Sequence, residues 1–387
     1  MIVHPRYGAG SLADLLPSVL AALGVPGSAD PLGFVGGALA GVRRVAVLLV
    51  DGLGHEQLPL ATPVAPTLAD LAAGRLGAVG ELTAGFPSTT PTSLVTLGTG
   101  AAPGAHGVLG FTVRVPGTHR VLNHIEWWDD PDPALWQPVP TQFERAAAAG
   151  VAVSVVSRPM FVGSGLTVAA YRGAAFRGAD GVDAMAAAMV DSLDRAEPPA
   201  LVYGYLPDVD RAGHQYGVDS AQWRDAVARL DGLLTRLVDA LPADAALVVT
   251  ADHGQLDVPL DGHRIDLDAD PRLRAGVEVV AGEPRVRYLH TVPGARDDVL
   301  AAWRAVLGPA AWVAERDEAV AAGWFGPTPE VHLARLGDVV VVCHGRYAVF
   351  ATRTEPPQVS RLVAYHGSYT AAEMRVPMLI AGPDRRA

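Results

Sequence analysis

Cysteine is nearly absent from this sequence of 387 residues, because Cys343 is the only one. A single cysteine cannot form a disulfide within its own chain, and nothing in the cysteine content points to an oxidising compartment. Stability must therefore come from a packed core. Hydrophobic residues make up 50% of the chain, which is ample for such a core.

The N-terminus also lacks the features of a targeting segment. The stretch "MIVHPRYGAGSLADLLPSVLAALG" has no basic start followed by a long apolar run, and Asp14 and Pro17 interrupt its hydrophobic residues. A signal peptide or a membrane span needs an apolar segment without such interruptions. We therefore expect neither a signal peptide nor a membrane anchor, and this favours a cytoplasmic protein.

An excess of basic residues is missing as well. Lysine and arginine together number 30 against 41 aspartates and glutamates, which gives a formal net charge of -11. A nucleic-acid polymer is an unfavourable partner for such a chain, since binding it depends on neutralising phosphates with basic side chains. Small phosphorylated substrates stay compatible with the composition, because bound metal ions can supply positive charge locally. The oligomeric state is left open.

The chain does contain repeated apolar runs that end in polar residues. Each run has the pattern of a buried parallel strand whose carboxyl end opens into a loop. One such run is "RRVAVLLVDGLG". The five runs occupy residues 43–54, 151–157, 199–210, 245–254 and 375–383.

Helical patterns lie between these runs. The clearest places one apolar stripe against a sheet, with spacings of three and four residues. Its residues are Trp223, Val227, Leu230, Leu234, Leu237 and Leu241. Strands that alternate with helices predict an α/β protein with a mostly parallel sheet between two helical layers. Ligands of such sheets gather beyond the carboxyl ends of the strands.

The pattern changes between residues 266 and 354. "VEVVAGEPRVRYLHT", a helical "ARDDVLAAWRAVLG" and "GDVVVVCHGRYAVF" suggest a small α+β unit inserted before the last core strand. We expect residues 1–265 and 355–387 to form the core, and residues 266–354 to form a cap over the carboxyl edge of the sheet.

Acidic residues and histidines follow several of the predicted strands. In "YLPDVDRAGHQYG", Asp210 and His214 are four residues apart, so a helical turn would place both on one face, able to bind one cation. Asp208 lies off that face. A solvated loop is the competing interpretation of this short motif.

Three further stretches repeat this association. "TADHG" places Asp252 and His253 directly after an apolar run, "VDGLG" places Asp51 at the end of the first core strand, and His366 precedes the last one. A charged side chain in such a position is costly to desolvate unless it is paired or binds a metal. Taken singly, a turn, a helix cap or a structural histidine explains each of them.

The order of these motifs resembles the nucleotide pyrophosphatase/phosphodiesterase branch of the alkaline phosphatase superfamily. The resemblance runs through "VDGLG", "FPSTTPTSLVTLGTGAAPGAHGVLG", "DVDRAGHQYG", "TADHG" and "YHGSY...EMRVPMLIAG", and so covers most of the predicted core. It implies a three-layer α/β/α sandwich of alkaline-phosphatase type. It also implies hydrolysis of phosphodiester or pyrophosphate bonds of a small phosphorylated substrate, such as a nucleotide.

The resemblance implies two zinc sites. One has the ligands Asp210, His214 and His366. The other has the ligands Asp51, Asp252 and His253, with Thr90 bound to the same ion. Mixed carboxylate and imidazole ligands suit zinc on chemical grounds as well.

Thr90 is also the nucleophile that the resemblance implies, through a covalent threonine intermediate and two displacements at phosphorus. Pro91 follows it, which disfavours helical backbone at Thr90 and predicts Thr90 at the N-cap of a helix. A helix N-terminus favours a bound anion. An ordinary N-cap worth about 1 kcal/mol is the alternative interpretation, and Thr89 is the alternative nucleophile.

Ser93 departs from the family pattern, which has asparagine three residues after the nucleophile. A serine hydroxyl can still donate one hydrogen bond to a phosphoryl oxygen. The departure leaves open a phosphonoacetate-hydrolase-like or phosphomonoesterase activity at the same metal site. A non-catalytic metal-binding protein is the alternative from another functional class.

The substrate-binding groups are less defined. Trp127, Trp128 and Trp136 lie on a predicted loop, where an indole can stack on a nucleobase or anchor the loop to the core. Arg285, Arg287 and Tyr288 can meet an anionic substrate group or form surface salt bridges. We expect structural roles for three other histidines, namely His106, His263 and His344.

Overall fold

A seven-stranded sheet lies at the centre of the computed structural model, which describes residues 2–383. Its strand order is β2-β17-β8-β1-β7-β5-β6. All strands, in chain order, are β1 (Arg44–Val50), β2 (Val79–Thr83), β3 (Thr112–Arg114), β4 (Val121–Asn123), β5 (Ala152–Ser157), β6 (Ala175–Gly178), β7 (Ala200–Leu206), β8 (Ala245–Thr250), β9 (Leu256–Asp257), β10 (Arg264–Asp266), β11 (Val277–Glu283), β12 (Val286–Thr291), β13 (Ala311–Glu315), β14 (Val339–Cys343), β15 (Ala348–Phe350), β16 (Ala364–Tyr365) and β17 (Arg375–Ala381).

The predicted α/β architecture with a mostly parallel sheet is confirmed, and all five apolar runs form strands of this sheet. Strands β8, β1, β7, β5 and β6 run parallel to one another. The grouping of residues 375–383 with the parallel strands was wrong, because β17 runs antiparallel to both β2 and β8. The chain enters β17 shortly after His366, on the carboxyl side of the sheet, so the strand has to run back across it. Hydrophobic periodicity carries no information on strand direction.

Two groups of helices cover the sheet. In one group, α1, α7 and α8 each contact α4; in the other, α3, α9 and α10 each contact α11. The helices, in chain order, are α1 (Leu12–Ala22), α2 (Leu58–Ala61), α3 (Pro66–Ala72), α4 (Thr90–Thr99), α5 (Pro103–His106), α6 (Pro133–Trp136), α7 (Gln142–Ala148), α8 (Gly165–Tyr171), α9 (Val182–Arg195), α10 (Asp208–Tyr216), α11 (Ala221–Ala240), α12 (Pro271–Arg274), α13 (Arg296–Leu307), α14 (Arg316–Ala321), α15 (Glu330–Leu333) and α16 (Ala371–Met374).

Helix α11 carries the predicted apolar stripe. Ser220 caps its start by accepting a hydrogen bond from the Trp223 N–H at 3.2 Å. The stripe from Trp223 to Leu237 is buried, and Leu241 is buried one residue beyond the helix. Among the described residues, no helix combines the length and the apolar character needed to cross a bilayer.

A second sheet forms between residues 277 and 343. It is antiparallel, with strand order β11-β12-β14-β13, and has its own hydrophobic cluster with helix α13. Tyr288 on β12 donates a hydrogen bond at 2.6 Å to the Leu109 carbonyl, and Arg285 is ion-paired with Glu373 at 2.8 Å. These contacts join the second sheet to the rest of the protein. The division of the chain at residues 266 and 354 stays a prediction.

Buried neutral histidines make the fold sensitive to acid. Burial lowers the pKa of His124 to about 4, and its Nε2 accepts a hydrogen bond from Trp136. Because the unfolded chain takes up this proton near pH 6.5, the stabilisation is present above that pH and is lost as the pH falls towards 4. We expect His124 to reduce the free energy of unfolding by about 2 kcal/mol between pH 7 and pH 5.

Urea titrations at both pH values check this expectation. His124→Gln should lose about that much of the pH dependence. His119→Gln is the control, because the His119 side chain is 74% exposed. An unchanged pH dependence in His124→Gln would show that His124 is not the group responsible.

Candidate metal centre and active site

Three neighbouring strands bring acidic residues to one edge of the central sheet. Strand β1 lies between β7 and β8, and Val50 at its end is in register with Leu206 at the end of β7. Asp51 follows β1, and its carbonyl accepts a hydrogen bond from the Asp210 N–H at 3.0 Å. Asp252 lies just beyond β8. The register thus gathers residues that are far apart in sequence.

The first cluster consists of Asp210, His214 and His366. Helix α10 supplies Asp210 and His214 one turn apart, so the predicted helical turn is present. The His214 Nε2 is 3.3 Å from Asp210 Oδ2 and 3.2 Å from the Nε2 of His366. One donor atom from each of the three lies within 4.8 Å of the others, a spacing that suits a shared cation.

The second cluster lies beside the first. The Nε2 of His253 is 3.3 Å from Asp252 Oδ2, 3.7 Å from Asp51 Oδ1 and 3.1 Å from Thr90 Oγ1. Asp210 also groups with Asp51 and His253 as possible ligands, so it borders both clusters. The structure therefore brings together all seven residues that the resemblance assigns to metal binding.

The three histidines present the same nitrogen to the centre. The Nδ1 atoms of His214, His253 and His366 lie 2.7, 3.2 and 3.0 Å from the carbonyl oxygens of Ala364, Gly254 and Ser88. A carbonyl can only accept, so each Nδ1 carries the proton and each Nε2 keeps its lone pair. A backbone acceptor behind the ring is the usual way in which a metal-binding histidine is oriented.

The carboxylates are buried without enough protein partners. Asp51 Oδ1 and Asp252 Oδ2 have no hydrogen-bond partner within residues 2–383. Burial, followed by the charges of Asp252 and Asp210, raises the pKa of Asp51 well above its usual value. Buried acids that repel one another need a compensating cation. The orphaned oxygens and the inward nitrogens therefore fit divalent metal ions.

Thr90 opens helix α4, but not at the predicted position. Thr89 is the N-cap, with extended backbone (φ -137°, ψ 149°), and Thr90 is the first helical residue. The prediction of Thr90 as N-cap was wrong by one residue, since the preference against helical backbone before proline is a bias that tertiary contacts can overcome. The Thr90 hydroxyl still lies beside His253 at the positive end of a ten-residue helix.

Unpartnered hydroxyls cluster in the same turn of α4. The side-chain hydroxyl oxygens of Ser93, Thr89 and Thr92 are buried and have no hydrogen-bond partner in the described part of the chain. Ser93 lies three residues after Thr90, on the same side of the helix. Its hydroxyl is therefore available to a bound group near Thr90.

The candidate substrate residues lie in different environments. Trp127 and Trp136 are buried and pack edge to face, whereas Trp128 is 55% exposed. Arg285 and Arg287 form buried ion pairs with Glu373 and Glu355, so the prediction of surface salt bridges for them was wrong. Tyr288 is also buried.

The three histidines expected to be structural all have protein partners. The His106 Nε2 is hydrogen-bonded to Thr96 Oγ1 at 3.0 Å, and the His263 Nδ1 to the Asp261 carbonyl at 2.9 Å. The His344 Nδ1 is hydrogen-bonded to the Tyr369 hydroxyl at 2.5 Å.

Sequence analysis missed three residues that support the clusters. The Tyr205 hydroxyl donates to Asp51 Oδ2, and the Gln255 side-chain amide donates to Asp210 Oδ1. Glu283 belongs to the second sheet, and its Oε2 lies 3.9 Å from the Nδ1 of His366. Gln255 directly follows "ADHG", which is a signal in the sequence. No local pattern marks Tyr205 or Glu283, because both act through tertiary contacts.

Residues 45–369 match the sequence model of a family described as type I phosphodiesterase / nucleotide pyrophosphatase. Among solved structures, an inactive variant of murine ectonucleotide pyrophosphatase / phosphodiesterase 5 in complex with AMP has a TM-score of 0.71 at 18% identity, over 88% of each chain. Phosphonoacetate hydrolase from Sinorhizobium meliloti, in complex with phosphonoformate, has a TM-score of 0.66 at 21% identity, over 88% of this chain and 90% of that one. Similarity at these identities shows a common fold.

A shorter similarity is found in sequence. Alkaline phosphatase PhoD of Zymomonas mobilis is 37% identical over 70 residues, which are 17% of this chain and 12% of that protein. The chain thus spans only a small part of this curated relative.

Proposed function

Since the chain belongs to the type I phosphodiesterase / nucleotide pyrophosphatase family, whose members are metal-dependent phosphoric ester hydrolases, we propose that it cleaves phosphodiester or pyrophosphate bonds of small phosphorylated molecules with Thr90 as nucleophile. The main support is the position of the Thr90 hydroxyl, 3.1 Å from the Nε2 of His253 and at the start of helix α4. The structural neighbours were solved in complex with AMP, a phosphate ester, and with phosphonoformate, a phosphonate, so both hold small phosphorus-containing anions.

We assign two zinc ions to the clusters. Asp210, His214 and His366 hold one ion, and the other is held by the remaining members of the predicted ligand set, Asp51, Thr90, Asp252 and His253. When bound, two such ions supply the charge that stabilises an ionised threonine oxygen and the leaving oxygen. The unpartnered oxygens of Asp51 and Asp252 support this assignment.

The proposed reaction consists of two displacements at phosphorus, in which the protein residues have different roles. The Thr90 hydroxyl gives up its proton to solvent and its oxygen attacks phosphorus; a new oxygen–phosphorus bond forms as the bond to the leaving oxygen breaks, and the leaving oxygen takes up a proton from solvent. Water then attacks the same phosphorus, the bond to Thr90 breaks, and a proton from the attacking water returns to the threonine oxygen. The N-terminus of α4 and the Ser93 hydroxyl stabilise the phosphoryl oxygens throughout. Two inversions give net retention at phosphorus.

A second activity is favoured by Ser93. Its single hydroxyl offers fewer donors than an amide, and one structural neighbour is a phosphonoacetate hydrolase. Cleavage of a phosphonate or of a phosphomonoester at the same centre is therefore the alternative proposal.

A substrate panel with metal-reconstituted protein tests the choice. We expect bis(p-nitrophenyl) phosphate to give the highest kcat/KM, above p-nitrophenyl phosphate and phosphonoacetate. Chelation should abolish turnover, and added Zn²⁺ should restore it, because the clusters are built for cations. Turnover of only the monoester or the phosphonate would favour the alternative. Metal binding without hydrolysis of any of them would favour a non-catalytic protein.

A further inference from the structure

Glu283 is a buried carboxylate that the second sheet carries to the metal centre. It ends strand β11 and is only 5% exposed. Its Oε2 lies 3.9 Å from the Nδ1 of His366, on the side of the ring that faces away from the cluster. It also packs on Gly367, where a Cβ atom would lie 2.7 Å from the Glu283 Cδ. The backbone next to a candidate ligand is thus shaped to admit this side chain.

The other side of Glu283 faces the start of helix α4. The groups around Glu283 are the Thr89 hydroxyl, the Phe111 N–H, and the charged side chains of Arg287 and Glu373. Neither Thr89 Oγ1 nor Glu283 Oε1 has a hydrogen bond of good geometry. A buried carboxyl that lacks strong partners lowers stability. A buried carboxyl group that lowers stability is expected to be kept at a position where it serves the function of the protein.

Glu283 lies where two functional segments join. The Ser88 N–H donates to the Gly367 carbonyl at 3.0 Å, and the Ser88 carbonyl faces the Nδ1 of His366 at 3.0 Å. Ser88 thus links His366 to the residues that precede Thr90. Glu283 lies next to both of the segments that Ser88 joins, because it is close to His366 and to Thr89.

We propose that Glu283 is a positioning residue of the reaction centre, which packs behind the His366 imidazole and against Gly367, next to the Thr89 hydroxyl, and so sets Thr90 relative to the metal ligands. Mutation of a group that supports a metal-binding histidine typically lowers metal affinity or activity about 10- to 100-fold. The effect on turnover depends on the proposed function, whereas the effect on metal affinity does not.

The variant Glu283→Gln tests this role because it keeps the shape and replaces the carboxyl group with an amide. We expect Zn²⁺ affinity, measured by chelator competition, to fall about 10- to 100-fold. The melting temperature of the metal-free protein should stay equal or rise, because a desolvated acid is removed. Glu278→Gln is the matched control, since Glu278 lies on the same strand and is ion-paired with Arg114 on the surface. Glu278→Gln should leave the Zn²⁺ affinity and the melting temperature unchanged.

Two results would overturn the proposal. One is Zn²⁺ affinity in Glu283→Gln equal to that of the control. The other is an affinity loss accompanied by a lower melting temperature, which indicates a purely structural role. A double-mutant cycle with Thr89→Val tests the second contact, because the effects on kcat should be less than additive if Glu283 acts through Thr89. If the wild type hydrolyses no substrate, the proposed function fails, but the affinity measurement still decides the role of Glu283.

Discussion

Replacing Thr90 with alanine is expected to lower kcat for diester hydrolysis on the order of 10⁴- to 10⁶-fold, because the covalent route loses its nucleophile. Metal binding should persist, since six carboxylate and imidazole groups remain in the two clusters. Thr90→Ser should keep part of the activity, because it retains a hydroxyl on a more mobile side chain. Metal analysis and single-turnover kinetics on the three proteins measure these differences.

The control for this experiment is Thr92→Ala. Thr92 belongs to the same turn of α4, but its methyl group points towards Gly85, where a Cβ atom would lie 3.3 Å away. It should keep near wild-type turnover. A residual rate in Thr90→Ala similar to the wild-type rate, at full metal content, would show that water attacks phosphorus directly.

The second large effect concerns stability. Arg285→Met should reduce the free energy of unfolding by about 3–5 kcal/mol, because it leaves the Glu373 carboxylate buried without its cation. The Arg285 Nε and Nη2 donate to the two Glu373 oxygens at 2.9 and 2.8 Å, and both side chains are fully buried. Denaturant unfolding of the metal-free protein measures the loss.

Two comparisons make this result interpretable. Arg224→Met breaks an exposed pair with Asp219 and should leave the free energy of unfolding nearly unchanged, because solvent screens the pair. Adding Glu373→Leu to Arg285→Met should recover a large part of the loss, since it removes the uncompensated charge. An Arg285→Met protein no less stable than Arg224→Met would contradict the importance of the buried pair.

Much of the architecture could be predicted because strand ends carry strong local signals. Apolar runs followed by Asp51 or by Asp252 and His253 located the strands and the candidate ligands that follow them, since parallel strands place their carboxyl ends together. The spacing of Asp210 and His214 likewise determined a shared helix face. These inferences depended only on residues that are close together in the sequence.

The remaining features depend on contacts between distant segments. The direction of β17 follows from where the chain returns after the second sheet, and the buried pairing of Arg285 with Glu373 joins residues 88 positions apart. The helix start at Thr90 differs by one residue from the sequence prediction, because propensities compete with packing there. Tyr205 and Glu283 have no local signature, since their partners are fixed only in the folded protein.

The order of the candidate ligands along the chain has a consequence for how the protein matures. Asp51 comes early in the sequence, whereas His366 precedes only the last strand, so a growing polypeptide has an incomplete set until nearly all of it has been synthesised. The order and register of the strands bring these groups together. Ions that bind only the native state then stabilise it by mass action. We therefore expect metal uptake to be a late event that follows folding, and cellular metal supply to set the lifetime of the finished enzyme.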